Sequence, residues 1–270
     1  MAHLATVPTS IYRRRNSVFP AAHFRSELSV YLAKKNDISQ PMNKAVSGQA
    51  ESEADHAIVV FDFDGTITTK DTFALFLRYY AGLPKWTFNV TALLPTFITY
   101  KLGLIDRHAV KKAVVKRFFK GHDAQAVDDR AAQFAKDVIP ALIRPAAKAR
   151  LEALRSTAEF GEKYSSEAGA NFTYESLYIC SASIGPYLRH WAKTQNIAEN
   201  HILATELESQ NGTLTGALNG YNVWGANKVR RIYDAFSPQS VLILEAYGDT
   251  RGDKEMLHAA KASFYKPFRF

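Results

Sequence analysis

Ile58-Val59-Val60-Phe61-Asp62-Phe63-Asp64-Gly65-Thr66 carries the strongest structural signal in this chain. Four apolar residues, three of them β-branched, run straight into two carboxylates, a glycine and a threonine. A short continuous apolar run bounded by turn residues reads as a strand buried on both faces, the kind found in parallel sheets. Two further runs share the form. Leu177-Tyr178-Ile179-Cys180 leads to Ser181, and Val241-Leu242-Ile243-Leu244 leads towards Gly248-Asp249-Thr250-Arg251-Gly252-Asp253. Ligands of open α/β sheets sit outside the carboxyl ends of such strands. The three runs therefore predict an α/β fold with a Rossmann-like parallel sheet, and they gather Asp62, Asp64, Ser181, Asp249 and Asp253 along one edge.

Between the first and second runs the period turns helical, from Thr72 to about Arg155. Phe73, Phe76, Leu77 and Tyr80 fall on one face of a helix running to Gly82. Asp106 and Asp123 stand where helix caps belong. The first would cap a helix carrying Val110, Ala113, Val114, Phe118 and Phe119, and the second one carrying Ala126, Phe134 and Val138. Residues 72–155 are thus expected to form a helical cap inserted into a core made of residues 57–71 and 156–270. Trp86 to Leu104 is the most apolar part of the cap. Asn89, four threonines, Pro95 and Lys101 interrupt it too often for a membrane span of about 20 apolar residues. A buried pair of helices broken near Pro95 is expected there. The alternative is peripheral contact with a membrane surface, suggested by Trp86, Lys85 and Lys101. Residues 156–176 read as a surface loop. Beyond them come a helix with Ile184, Leu188 and Trp191, a strand at His201–Ala204, a hairpin turn at Asn211-Gly212, and a helix from about Ala226 to Ala235.

Composition is that of an ordinary globular protein, 47% hydrophobic and 22% charged. The single cysteine, Cys180, excludes an intramolecular disulfide and fits a reducing, cytoplasmic setting. Its place at the end of an apolar run predicts a packed thiol. Half of the net charge of +8 falls in residues 1–41, where six Lys and Arg face two Asp and Glu. No stripe of interleaved basic and aromatic residues accompanies it, so nucleic acid is not an expected partner. Residues 1–56 show no period and no secretory core. They are expected to be a disordered tail or an extension ahead of a true start at Met42, with an organelle transit peptide as the alternative.

Taken in order, four motifs resemble those of the haloacid dehalogenase superfamily. They are Asp62-x-Asp64-Gly65-Thr66 after a strand, Ser181 after a strand, Lys228 at a helix start, and Gly248-Asp249-x-x-x-Asp253 after a strand. The likeness runs from about Ile58 to Phe270. It is closest to the branch with a helical cap after the first motif, which includes phosphoserine phosphatase and the bacterial phosphatidylglycerophosphate phosphatase. The resemblance implies a Mg²⁺-dependent phosphatase acting on a phosphomonoester, a small metabolite first and a lipid phosphate second. A phosphotransferase or a catalytically silent binding protein on the same fold is the remaining alternative.

The resemblance also assigns roles. Asp62 is the nucleophile that forms an aspartyl-phosphate, and Asp64 is the general acid and then the general base. Asp62 and Asp249 meet Mg²⁺ by side chain and Asp64 by its carbonyl, with Asp253 orienting Asp249 or a metal-bound water. Ser181 donates to a phosphoryl oxygen and Lys228 supplies fixed positive charge, with Arg230 and Arg231 as competitors. Ser183 looks like a plain helix cap. Asp71 stands where phosphoserine phosphatases carry a substrate-binding glutamate, but it is shorter and suits helix capping. Lys111, Lys112, Lys116 and Arg117 read as a solvated helix face, with contact to a charged leaving group as the alternative.

Overall fold

The computed structural model describes residues 54–155 and 176–269. The expected N-terminal tail and the loop after Arg155 lie outside the described residues. Six strands form one sheet in the order β4-β3-β2-β1-β5-β6. They are β1 (His56–Phe61), β2 (Leu177–Ile184), β3 (Ile202–Gln210), β4 (Thr213–Asn219), β5 (Val241–Gly248) and β6 (Ala262–Tyr265). All neighbours run parallel except β3 and β4, which form an antiparallel hairpin. At its turn Asn211 and Gly212 both have positive φ, 50° and 77°, as the Asn-Gly signal requires. The fold is the expected α/β one, with a mostly parallel Rossmann-like sheet.

The helices are α1 (Thr72–Ala92), α2 (Leu94–Lys101), α3 (Arg107–Phe119), α4 (Ala124–Asp137), α5 (Pro145–Arg155), α6 (Gly185–Thr194), α7 (Ala226–Phe236) and α8 (Lys254–Ala259). Strand β1 explains the two-sided core. Val59 and Phe61 point into one apolar cluster, with Leu188 and Trp191 of α6. Ile58 and Val60 point into another, with Val229 and Ile232 of α7 and Met256 of α8. This two-residue alternation is the pleat of a strand covered on both faces. Each such side chain contributes about 1.5–3 kcal/mol on burial.

Helices α1 to α5 lie between β1 and β2 in sequence. Asp71, Asp106 and Asp123 each accept from the backbone N–H three residues on, capping α1, α3 and α4. Phe76 of α1, Phe119 of α3 and Phe134 of α4 meet Tyr187 of α6 in one aromatic group. Helix α4 differs from expectation by one residue, since Val127 is buried while Ala126 is exposed. The chain leaves and rejoins the sheet layer at neighbouring points, where Thr68 pairs with Ile143. Helix α5 then lies on the sheet, where Arg150 Nη2 is 2.7 Å from Glu245 of β5.

The stretch from Trp86 to Leu104 corrects the sequence reading. The helix pair exists, and it is broken near Pro95 as expected: α1 has a non-helical Gly82, ends at Leu93, and α2 follows. It is not buried. Leu93 alone is buried in this stretch, and α2 contains no buried residue. Phe88 is 68% exposed and Leu104 71%. Apolar content signals a need for cover, but it does not say whether the same chain provides it. Among the described residues no helix is long and apolar enough to cross a membrane.

Glu245 is fully buried within β5, where it accepts from Arg150 and from the Tyr247 hydroxyl. A buried carboxylate is tolerated only while its partners remain. Arg150→Met should therefore lower stability by about 3–5 kcal/mol, measured by urea unfolding. A loss below about 1 kcal/mol, the scale of an exposed ion pair, would contradict this account.

Candidate active site

The ends of β1, β2 and β5 and the start of α7 converge on Lys228. Its ammonium lies 2.5 Å from Asp62 Oδ1, 2.7 Å from Asp253 Oδ1 and 2.7 Å from the Cys180 carbonyl oxygen. Lys228 is 1% exposed, so its charge is held by these three oxygens rather than by water. Burial opposes that charge, but the two carboxylates prevail and keep its pKa above the ordinary lysine range. Arg230, the neighbouring competitor, instead pairs with Asp234 on the outer face of α7.

Asp62 ends β1, with its N–H bonded to the Tyr247 carbonyl. Its second oxygen accepts the Thr66 hydroxyl at 3.0 Å. Burial raises its carboxyl above the ordinary range, against the pull of the Lys228 ammonium. The turn that follows needs Gly65, which has φ of 78° and where a Cβ would sit 2.4 Å from Asp249 Oδ2. This close approach sets Asp62 and Asp249 on one side of the turn. Arg144 braces the same turn through the carbonyls of Gly65 and Thr68.

Asp249 accepts from Arg269 Nη2 at 2.5 Å and stands 3.5 Å from the Thr66 hydroxyl. Burial raises its pKa, opposed by Arg269. Asp253 is saturated. One oxygen holds Lys228, and the other accepts the N–H groups of Asp249 and Thr250 and the Thr250 hydroxyl. With Lys228 beside it, its pKa is lowered despite burial. Asp253 also joins a capping box with Thr250, a structural role for an acid near a helix start. Asp62, Asp249 and Asp253 have carboxylate oxygens within 4.8 Å of one another. Three carboxylates against Lys228 and Arg269 leave a negative excess, and an all-oxygen donor set suits a hard divalent cation.

Asp64 faces elsewhere. Its Oδ1 accepts the Thr72 N–H at 2.7 Å and the Thr72 hydroxyl at 2.5 Å, and its Oδ2 accepts the Ser183 hydroxyl. Burial and the nearby charge of Asp71 push its pKa up to about 6, against these hydrogen bonds. Asp71 itself caps α1 through Ala74 N. Ser181 is buried, lies within β2 rather than after it, and accepts the Ser183 N–H at 3.1 Å.

Sequence reasoning missed four participants. Ser183 is no helix cap, because α6 starts at Gly185 and Ile184 holds the cap position. A serine three residues past an apolar run is indistinguishable from a cap until Asp64 is placed beside it. Thr66 carried a signal in its place after Gly65, but Thr72 and Arg269 carried none. Lys111 also departs from its neighbours. Lys112, Lys116 and Arg117 are exposed, whereas Lys111 turns inward with Nζ 3.2 Å from the Phe73 ring centroid. Burial lowers its pKa to about 7, and Asp71 and Asp64 oppose that shift.

This chain belongs to the haloacid dehalogenase-like hydrolases, whose family pattern it matches over residues 59–159 and 175–258. It is 33% identical over 244 residues to the protein CicA of Caulobacter vibrioides, with 88% of this chain and 96% of that protein aligned. Its fold is similar to that of a protein of unknown function from Bordetella pertussis Tohama I, at 17% identity and a TM-score of 0.59 over 77% of this chain and 88% of that one. A phosphoserine phosphohydrolase-like protein from Francisella tularensis aligns at 18% identity and a TM-score of 0.47 over 76% and 84%.

The Cys180 thiol abuts this cluster without joining it. It donates to the Lys228 carbonyl, and burial pushes its pKa up to about 12. The thiolate is the reactive form, so little is present below pH 9. Thiol reagents at pH 8 should label the native protein far more slowly than the urea-unfolded chain. Equal rates would show that the residue is accessible.

Proposed function

We propose that this protein is a Mg²⁺-dependent phosphatase that hydrolyses a phosphomonoester through an aspartyl-phosphate on Asp62. The observation that carries the reading is the Lys228 contact with Asp62 and Asp253, beside the carboxylate of Asp249. Asp62 and Asp249 would hold Mg²⁺ by side chain, with the Asp64 carbonyl completing the protein's share. Bound Mg²⁺ would offset charge on the phosphoryl group and fix its position. Asp253 would act through Asp249, since its own oxygens are already engaged.

Asp62 attacks phosphorus as a carboxylate, and the P–O bond to the leaving alcohol breaks. Lys228 keeps that carboxylate oriented and offsets charge on the transferring group. Asp64 gives its proton to the departing oxygen, then takes one from the water that cleaves the aspartyl-phosphate. The raised pKa of Asp64 supports this part, because an acid must be protonated to donate. Ser181 would donate to a phosphoryl oxygen. A small phosphorylated metabolite in the cytoplasm is the first substrate class. A lipid phosphate is the second, favoured by the exposed apolar residues of α1 and α2.

Asp62→Asn should abolish turnover of p-nitrophenyl phosphate in a protein that still folds but melts at a lower temperature, because the amide keeps the shape and loses both the nucleophile and the charge that pairs Lys228. Asp249→Ala should weaken Mg²⁺ binding measured by calorimetry. Normal turnover by Asp62→Asn, or by the wild-type protein after exhaustive chelation, would sink the mechanism.

Asp64→Asn should distinguish leaving groups. An alkoxide needs a proton and a nitrophenolate does not. The variant should lose about 10²–10⁴-fold in kcat/KM on an alkyl phosphate and much less on p-nitrophenyl phosphate. Equal losses on both would remove Asp64 from the role of acid.

A further inference from the structure

Seven of the eight large hydrophobic side chains that are well exposed among the described residues fall between Leu83 and Leu104. The second half of α1, the helix α2 and the loop after it thus concentrate the exposed apolar side chains, with Leu83, Phe88, Leu94, Ile98, Leu102 and Leu104 each between 49% and 71% exposed. Soluble monomers seldom leave so concentrated a group uncovered. Residues 72–105 contain no aspartate or glutamate, and Lys85 and Lys101 within the patch are both exposed. At its edge Arg117 stacks on Phe88, 5.0 Å from the ring centroid, and its Nε donates to Asn89.

We propose that this helical pair docks on an anionic membrane surface, with its apolar residues in the headgroup boundary and its lysines on the lipid phosphates. Charge selects that occupant. A second copy of the chain would bring lysine against lysine across a two-fold interface, with no acid in the patch to pair them. The first 41 residues carry a positive excess and are a poor cover for a basic patch. An anionic bilayer supplies both the apolar boundary and the opposite charge. Half-buried Trp86 and exposed Tyr100 are side chains that suit the water–lipid boundary. Among the described residues no helix is long and apolar enough to cross a membrane, so the contact is with one leaflet.

The surface also lies close in the chain to the carboxylates. The loop after α2 leads directly into α3, where Arg107 stacks on Trp224 at 5.4 Å from its ring centroid and Lys111 Nζ lies over the Phe73 ring of α1. Docking would bring the mouth of the site near the headgroups. It does not depend on the proposed hydrolysis, and binding and turnover are read separately.

The test is sedimentation of the full chain with vesicles of phosphatidylcholine alone and of phosphatidylcholine mixed with phosphatidylglycerol. The wild-type protein should bind the mixed vesicles and not the neutral ones. Two variants probe the two components: Phe88→Ser/Ile98→Ser/Leu102→Ser removes exposed apolar groups, and Lys85→Glu/Lys101→Glu reverses charge. Each should weaken binding at least about tenfold, with the melting temperature and turnover of p-nitrophenyl phosphate unchanged. Absence of wild-type binding, or full binding by both variants, would overturn the proposal. So would a wild-type dimer in size-exclusion chromatography that the serine variant converts to monomer, because the patch would then be covered by a second copy.

Discussion

Everything at the carboxyl edge of the sheet depends on one buried ammonium. Lys228 comes from α7, yet it binds the last residue region of β1, the backbone of β2 and the turn after β5. A lysine so enclosed would ordinarily lose its proton. Here two carboxylates and a carbonyl replace the lost water, and the carboxylates in turn could not both stay ionised without it. The interaction is mutual, so the site is a single electrostatic unit rather than a set of independent groups. Removing one member leaves the others buried and unpaired.

The second level of organisation is spacing. Thr66 positions Asp62, Gly65 lets Asp249 come close, and Asp253 collects the amides of its own turn while holding Lys228. Each carboxylate has a different hydrogen-bonding environment, and so a different affinity for protons. Asp64, tied to Thr72 and Ser183 at the start of α1, sits at the boundary between the sheet edge and the helices. That boundary is also where Lys111 enters. The helical segment therefore meets the carboxylates through Thr72, whose N–H and hydroxyl both donate to Asp64.

Much of this was legible because burial on both faces leaves a plain mark. Strands β1, β2 and β5 are continuous apolar runs, and the acids follow them at once. Asp106 and Asp123 were legible as caps because a short oxygen before a helical period has few other uses. Strand β6 was not, since Ala262-Ser263-Phe264-Tyr265 is too short and mixed to separate from a loop. Ser183 and Arg269 could not be found either, because their partners are fixed only by the folded geometry. The helix pair at Trp86–Leu104 failed for a different reason. Its sequence states that the residues avoid water, and a buried pair and an exposed docking face satisfy that statement equally well.

The strand order has a consequence for how the protein is made. Central strand β1 emerges from the ribosome early, yet Val59 pairs with Leu177 on one side and Glu245 on the other. During synthesis it must wait, with its apolar run unpaired, until both neighbours have followed. Local helices can form in that interval, but the sheet cannot close. Loop closure over such distances slows folding and exposes sticky intermediates. Residues 72–155 thus separate Asp62 from Lys228, and Asp64 from Ser183, in time as well as in sequence, and a nascent chain of this protein would need shelter that a finished one does not.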